Sequence, residues 1–188
     1  MEPGNEIILE TERLLFRPHT MSDLDAWCAM ETDPQVRRYT GGQPRTPEEA
    51  ERRFKEQAMQ PVHDRMGMWA AVFKPENKYI GRCGIYPHFA PNNQVIPGEG
   101  SLGYYIASGY WGRGLATEAA AAFVKFGFDQ LNLKRIVAMV QEGNDASVHI
   151  LKELGFLLVR TEDGPRTFYH FALENPNWNK TYEVSETS

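Results

Sequence analysis

The sequence predicts a mixed α/β domain built on a mostly antiparallel sheet that carries one parallel strand pair. Three observations lead there. The first half shows β-rich runs with a hairpin signal, the second half alternates strand and helix, and a Gly-rich turn joins a strand to an Ala-rich helix near residues 101–128. No repeat and no Ser/Gly-rich linker divides the 188 residues. That length suits one domain burying roughly 70% of its unfolded surface.

Each element follows from local chemistry. Residues 13–17 (R-L-L-F-R) read as a first strand, stopped by Pro18, which cannot donate to a ladder. Thr20 or Ser22 caps a helix with Leu24, Trp27 and Cys28 on one face, and Asp33-Pro34 opens a short helical turn ending at Gly41-Gly42. Thr46-Pro47-Glu48-Glu49 combines a cap, a proline at the first helical position and a capping-box glutamate. It opens a helix to about residue 59 with Ala50, Phe54 and Ala58 inward. Residues 68–74 and 79–86 form an antiparallel hairpin around Pro75-Glu76-Asn77-Lys78. A long loop holding Pro87, Pro91, Asn92, Asn93 and Pro97 leads to a strand at residues 101–107. Then come a helix at 116–128, a strand at 135–140, a helix at 145–154 closed by Gly155, and a strand from Phe156. Asp163-Gly164 turns the chain into a last strand at 166–173, making seven strands and about four helices. The tail is polar, and disorder is expected from Glu183.

Composition narrows the function classes. With 20 Lys+Arg against 25 Asp+Glu the formal charge is −5, which argues against a broad basic nucleic-acid surface, so no DNA partner is expected. Apolar runs such as 68–73 and 119–124 are six residues long, far short of the ~18 a membrane span needs. The start, M-E-P-G-N-E, lacks a signal peptide's basic segment, so a soluble cytoplasmic protein is expected. Cys28 and Cys83 are isolated in apolar settings and read as buried reduced thiols. His19, His63, His88, His149 and His170 show no metal-ligand spacing, and no metal is expected. Trp27 and Trp69 read as core.

The sharpest feature is L-G-Y-Y-I-A-S-G-Y-W-G-R-G-L-A-T-E at residues 102–118. Glycines there let backbone N–H groups point into a concavity, and the helix N-terminus adds partial positive charge, so a phosphate is the natural guest; a plain tight turn is the competing reading. Walker A fails because Leu115-Ala116 stand where Lys and Ser/Thr are required. The literal G-x-G-x-x-G at Gly98–Gly103 precedes a strand, and a dinucleotide site at Gly112–Thr117 would put threonine where a small residue must pack.

Trp111-Gly112-Arg113-Gly114-Leu115-Ala116 resembles the pyrophosphate loop [QR]-x-x-G-x-[GA] of the GNAT superfamily of N-acetyltransferases, with Trp in place of the first Gln or Arg. That departure resembles the RimJ/RimL branch, the ribosomal-protein alanine N-acetyltransferases. N-x-x-S at Asn144–Ser147, L-x-x-x-G-F at Leu151–Phe156, the opening T-E-R-L-L-F-R-P, Ser22-Asp23 and I-G-R-C-G-I at 80–85 are similar to it as well. The resemblance covers residues 10–174, leaving an N-terminal extension at 1–9 and a polar tail at 175–188.

The resemblance implies a GNAT acyltransferase fold in which acetyl-coenzyme A wedges between two splayed parallel strands, here residues 101–107 and 135–140. It implies that backbone amides around Tyr104, Tyr105 and Ile106 bind the pantetheine arm and polarise the thioester carbonyl. The amides of Gly112, Arg113, Gly114 and Ala116, with the Thr117 hydroxyl, would take the pyrophosphate. Arg113 either adds charge at the 3′-phosphate or is a solvated loop residue, and Trp111 walls the cofactor. Asn144 would bond the coenzyme arm, and Ser147 would approach the sulfur, since the tyrosine many relatives use is Leu151 here.

Only a neutral amine can attack the thioester, so a base is useful. The family's usual glutamate position is Ser101; Glu99, two residues earlier on the same strand face, is either the base or an exposed loop glutamate. His88 and Phe89 either line the amine pocket or lie on a surface loop. The implied activity is acetyl transfer to a primary amine through a ternary complex. A protein N-terminus, a polyamine and a small antibiotic amine all stay open as acceptors. A catalytically silent coenzyme-binding module is the alternative, and homodimerisation is left open.

Overall fold

The computed structural model describes residues 6–59 and 65–178. His63 and the tail from Glu183 lie outside the described residues. One eight-stranded sheet, ordered β1-β2-β3-β4-β5-β6-β8-β7, organises the chain. Its strands are β1 (Leu9–Glu10), β2 (Leu14–Arg17), β3 (Gly67–Phe73), β4 (Lys78–Phe89), β5 (Val95–Ile106), β6 (Arg135–Gln141), β7 (Leu157–Glu162) and β8 (Phe168–Glu174). All neighbours are antiparallel except β5 and β6. The strand beyond the seven read from sequence is β1, a two-residue segment too short to show a period.

Among the described residues five α-helices flank the sheet: α1 (Leu24–Thr32), α2 (Pro34–Arg37), α3 (Pro47–Arg53), α4 (Leu115–Asp129) and α5 (Asp145–Glu153). Thr46 accepts from the Glu49 N–H while Glu49 reaches back to Thr46, which is the capping box read from sequence. Asp33 caps α2 through the Gln35 N–H. After α3 the chain continues as a π-helical turn, Phe54–Ala58, that buries Phe54 and leaves Ala58 partly exposed. Gly155, at φ 87°, ends the turn after α5.

The longer, Ala-rich α4 covers one face of the sheet. Its Leu115, Ala119, Ala120, Phe123 and Phe126 are buried, and Phe123 meets Phe16 of β2 edge-on at 4.8 Å. α1 and α3 occupy the other face, where Trp27 and Phe54 pack around His19. Trp27 and Trp69 are buried, as read from sequence.

Two expectations are corrected. The long loop after residue 86 is instead the far end of a hairpin, because β4 runs on to Phe89 and β5 begins at Val95. Pro87 is tolerated because the ladder shifts register between Pro87 and Phe89. Cys83 is buried and its thiol is pushed up by that burial, but Cys28 is only half-buried.

Candidate active site

Two strands that part company create the site. β5 and β6 pair only at Glu99↔Arg135, Gly100↔Ile136 and Ser101↔Val137. Beyond Ser101, β5 stays paired with β4 while β6 stays paired with β8, so a wedge opens between them. Ala107 N–H donates to the Ile80 carbonyl on β4. Backbone alternation then turns the Tyr105 amide toward β4 and the Tyr104 and Ile106 amides toward the wedge. The Trp111 indole N–H already uses the Ile106 carbonyl, at 2.7 Å.

At the wide end of the wedge the chain enters α4. Gly112 and Gly114 sit at φ 71° and 73°, a left-handed conformation that favours glycine. A Cβ on Gly112 would meet no protein atom within 4 Å, and one on Gly114 only the Arg13 guanidinium at 3.6 Å. Space inside the protein therefore does not demand these glycines; the backbone angle does, and the space above them stays open. Glu118 N–H closes the first helical bond, to Gly114. The N–H groups of Gly112, Gly114, Leu115, Ala116 and Thr117 have no acceptor among the described residues, and together they form an anion cradle at a helix N-terminus.

The wedge and cradle open into one cavity of about 430 Å³, within the usual range for ligand pockets. α2 with Gln35 and Val36, and the turn after it with Tyr39 and Thr40, form its other wall, held to the turn before α4 by Ser108 Oγ donating to Asp33 at 2.6 Å. α5 contributes Ala146, Ser147 and Ile150. An extended, mostly apolar arm ending in a diphosphate fits this shape. Glycines that leave room for a ligand, free amides at the helix start and a strand split with unpaired amides are what acetyl-coenzyme A requires.

Comparison with known proteins agrees. The family description "Acetyltransferase (GNAT) domain" matches residues 13–157. The chain belongs to the GNAT acetyltransferase family. It is 31% identical over 153 residues to the uncharacterized N-acetyltransferase p20 of Bacillus licheniformis, covering 79% of this chain and 81% of that one. Among solved structures it is similar to a GNAT-family acetyltransferase from Bacillus anthracis, with a TM-score of 0.76 at 22% identity over 89% of this chain and 98% of that one. It also shares its fold with RimL, a ribosomal L7/L12 alpha-N-protein acetyltransferase in complex with coenzyme A, at TM-score 0.72 and 15% identity, covering 90% and 98%. Acetyl-coenzyme A is accordingly the cosubstrate of this acetyltransferase.

Most residues singled out from the acetyltransferase's sequence come together in that cavity: Tyr104, Tyr105, Ile106, Trp111, Gly112, Gly114, Ala116, Thr117, Asn144 and Ser147 all line it. Arg113 is not in the lining; its guanidinium bonds the Gly109 carbonyl at 3.2 Å and stacks on Tyr110. Asn144 spends its side-chain oxygen capping α5, accepting from Ser147 N–H at 3.3 Å. The Ser147 side chain lies beside the Tyr104 hydroxyl, and the Ser147 carbonyl accepts from that hydroxyl at 3.4 Å. Burial pushes Tyr104 up to about 12, so its phenol stays protonated at neutral pH. Leu151 is fully buried in the core. Sequence reasoning read the helical turn at Asp33-Pro34 but missed that it walls the site, because its placement rests on a contact between Asp33 and Ser108, far apart in sequence.

Glu99 lies at the closed end of the wedge. It is buried on β5, so it is not an exposed loop glutamate. Its Oε2 is 2.8 Å from His88 Nδ1 and its Oε1 is 3.7 Å from Arg135. Among the described residues no group of three or more His, Cys, Asp and Glu could hold a metal, and no helix is long and apolar enough to cross a membrane.

Proposed function

We propose that this acetyltransferase moves the acetyl group of acetyl-coenzyme A to a primary amine within a ternary complex, and that it is of the RimJ/RimL-like kind. The observation that carries the reading is the wedge that ends at Ser101, with Tyr104 and Ile106 amides facing it and Glu99 beyond its closed end. Direct transfer is favoured because neither Cys28 nor Cys83 lines the cavity, so no thiol there can carry the acetyl group first. The branch assignment is supported by Trp111 at the loop's first position and by the Asn144–Ser147 block.

In this reading Gly112, Gly114, Leu115, Ala116 and Thr117 bind the diphosphate through their free N–H groups, with Arg113 adding its amide. Tyr104 N–H holds the thioester carbonyl and stabilises negative charge as it develops there. Glu99 drives deprotonation of the incoming ammonium. Ser147 Oγ donates to the departing thiolate. The sheet face holding Glu99 also exposes Tyr86, and it receives the acceptor from the side opposite α4.

The test is incubation with acetyl-coenzyme A and a panel of amines: an Ala-terminated peptide, a polyamine and aminoglycosides. Mass analysis of each amine is expected to show one added acetyl group in at least one class. Acetyl-coenzyme A binding without acetylation of any amine would contradict the reading.

A further inference from the structure

We infer that His88 is the group that takes the proton from the acceptor amine, with Glu99 as its positioning partner and Arg135 fixing Glu99. The inference rests on the proposed acetyl transfer and assigns the residue through which Glu99 acts.

Geometry separates the two candidates. Glu99 is buried, and both of its oxygens face cationic or N–H groups, His88 Nδ1 at 2.8 Å and Arg135 Nη1 at 3.7 Å. Its one side-chain hydrogen bond among the described residues is the one to His88, so the imidazole stands between the buried carboxylate and the more open side of the site. His88 is more open, with its side chain 30% exposed against 10% for Glu99. In the proposed arrangement Nδ1 donates to the Glu99 carboxylate, which leaves the Nε2 lone pair as the free end of the ring. Nε2 has no partner among the described residues and is not enclosed by the protein.

Position agrees with this role. Glu99 stands opposite Arg135, and the strands separate after Ser101, about 7 Å further along β5. The imidazole lies beside Glu99, on the paired side of Ser101 and outside the lining of the cavity, so the acceptor amine would reach the thioester from this side of the wedge. The charged groups gathered around it are Glu99 of β5, Arg135 of β6 and, on the far side of Arg135, Glu174 of β8 at 3.2 Å.

An ammonium gives one proton to His88 Nε2, directly or along one water, and the imidazolium is held by Glu99. The neutral nitrogen then bonds to the thioester carbon as the carbon–sulfur bond breaks. The nitrogen's surplus proton goes to the thiolate, and His88 later releases its proton to solvent.

The experiment uses the full chain, acetyl-coenzyme A, and the amine that the mass analysis identifies. His88→Gln and Glu99→Gln are each expected to lose about 10²-fold in kcat/KM at pH 7 with unchanged coenzyme affinity. The double variant is expected to lose no more than either single, as residues acting as one unit do, instead of the ~10⁴-fold of independent groups. The acidic limb of the wild-type pH profile should vanish in His88→Gln and move in Glu99→Gln. Wild-type kcat/KM in His88→Gln, or a limb that persists in it, would overturn the assignment. NMR titration of the His88 ring supplies a readout free of turnover. Nε2–H as the neutral tautomer would overturn it too. Failure of wild-type protein to bind acetyl-coenzyme A would instead overturn the acetyltransferase reading beneath it.

Discussion

Glu118, in the first turn of α4, clamps Arg13 of the N-terminal segment from 105 positions away in sequence. One oxygen accepts from the Arg13 backbone N–H at 2.9 Å, and the other from Arg13 Nε at 2.6 Å. Thr11 adds its hydroxyl at 2.6 Å, and Arg13 Nη1 passes on to the Arg113 carbonyl at 2.8 Å. The start of the sheet thus holds the turn that enters α4 in place. Burial would raise the Glu118 pKa, but the bonds from Thr11 and Arg13 outweigh it and hold the carboxyl below its usual 4.5.

Glu118→Ala is expected to cost about 2 kcal/mol of stability at pH 7 and to weaken acetyl-coenzyme A binding as the loop loosens. Because the folded pKa is depressed, this contribution is present above the ordinary carboxylate range and lost as pH falls through the folded value. Urea unfolding of both proteins at pH 7 and at pH 3.5 checks it: the gap should shrink in acid. A gap that is equal at both pH values would mean that the charge is not what matters.

Glu31 gathers three guanidiniums: Arg82 at 2.7 Å, Arg45 at 2.8 Å and Arg37 at 3.4 Å. Burial raises its pKa and the arginines lower it further, so it stays ionised. Arg82 is also sandwiched between Trp27 and Tyr105, at 4.0 and 4.6 Å from the ring centroids. Glu31→Ala leaves buried positive charge uncompensated and should cost about 3–5 kcal/mol. Denaturant midpoints measure this, and a loss below about 1 kcal/mol would show that water replaces the carboxylate.

His19 packs among Trp27, Phe54 and Tyr79 with its Nε2 unpartnered, and burial drives its pKa from 6.5 down to about 4. The unfolded chain binds this proton first as pH falls. Stability is therefore full above 6.5 and declines toward 4, by about 2 kcal/mol between pH 7 and pH 5. His19→Phe should remove that share of the acid sensitivity, as read by melting temperature at the two pH values.

Local chemistry made much of this legible. The Thr46 box, the β3–β4 hairpin and the strand–glycine–helix sequence leading into α4 are each decided by neighbours a few residues apart. What was not legible depends on distant partners. Nothing near Glu118 announces Thr11 or Arg13, and nothing near Glu31 announces Arg82. His88 and Glu99 meet only because prolines that read as loop-formers sit in a long hairpin, at a register shift that absorbs Pro87.

Ser147→Ala separates two roles for the serine. Asn144, and not Ser147, supplies the α5 cap, so the melting temperature should hardly move. Loss of a hydroxyl that meets the departing thiolate should lower kcat by about 10²-fold. Both are read on one preparation, and normal turnover would remove Ser147 from the reaction.

The central claim is that acetyl-coenzyme A lies in the wedge with its diphosphate on the free amides of Gly112–Thr117. Gly114→Val tests it most directly: a β-branched residue at φ 73° strains the backbone that aims the free amides, and its side chain would meet little protein but would fill the cradle. Calorimetric titration with acetyl-coenzyme A is predicted to show affinity weakened by about 10- to 10²-fold, the worth of one lost charge-assisted hydrogen bond, in a variant that circular dichroism shows to be folded. Wild-type affinity in the folded variant would contradict the account.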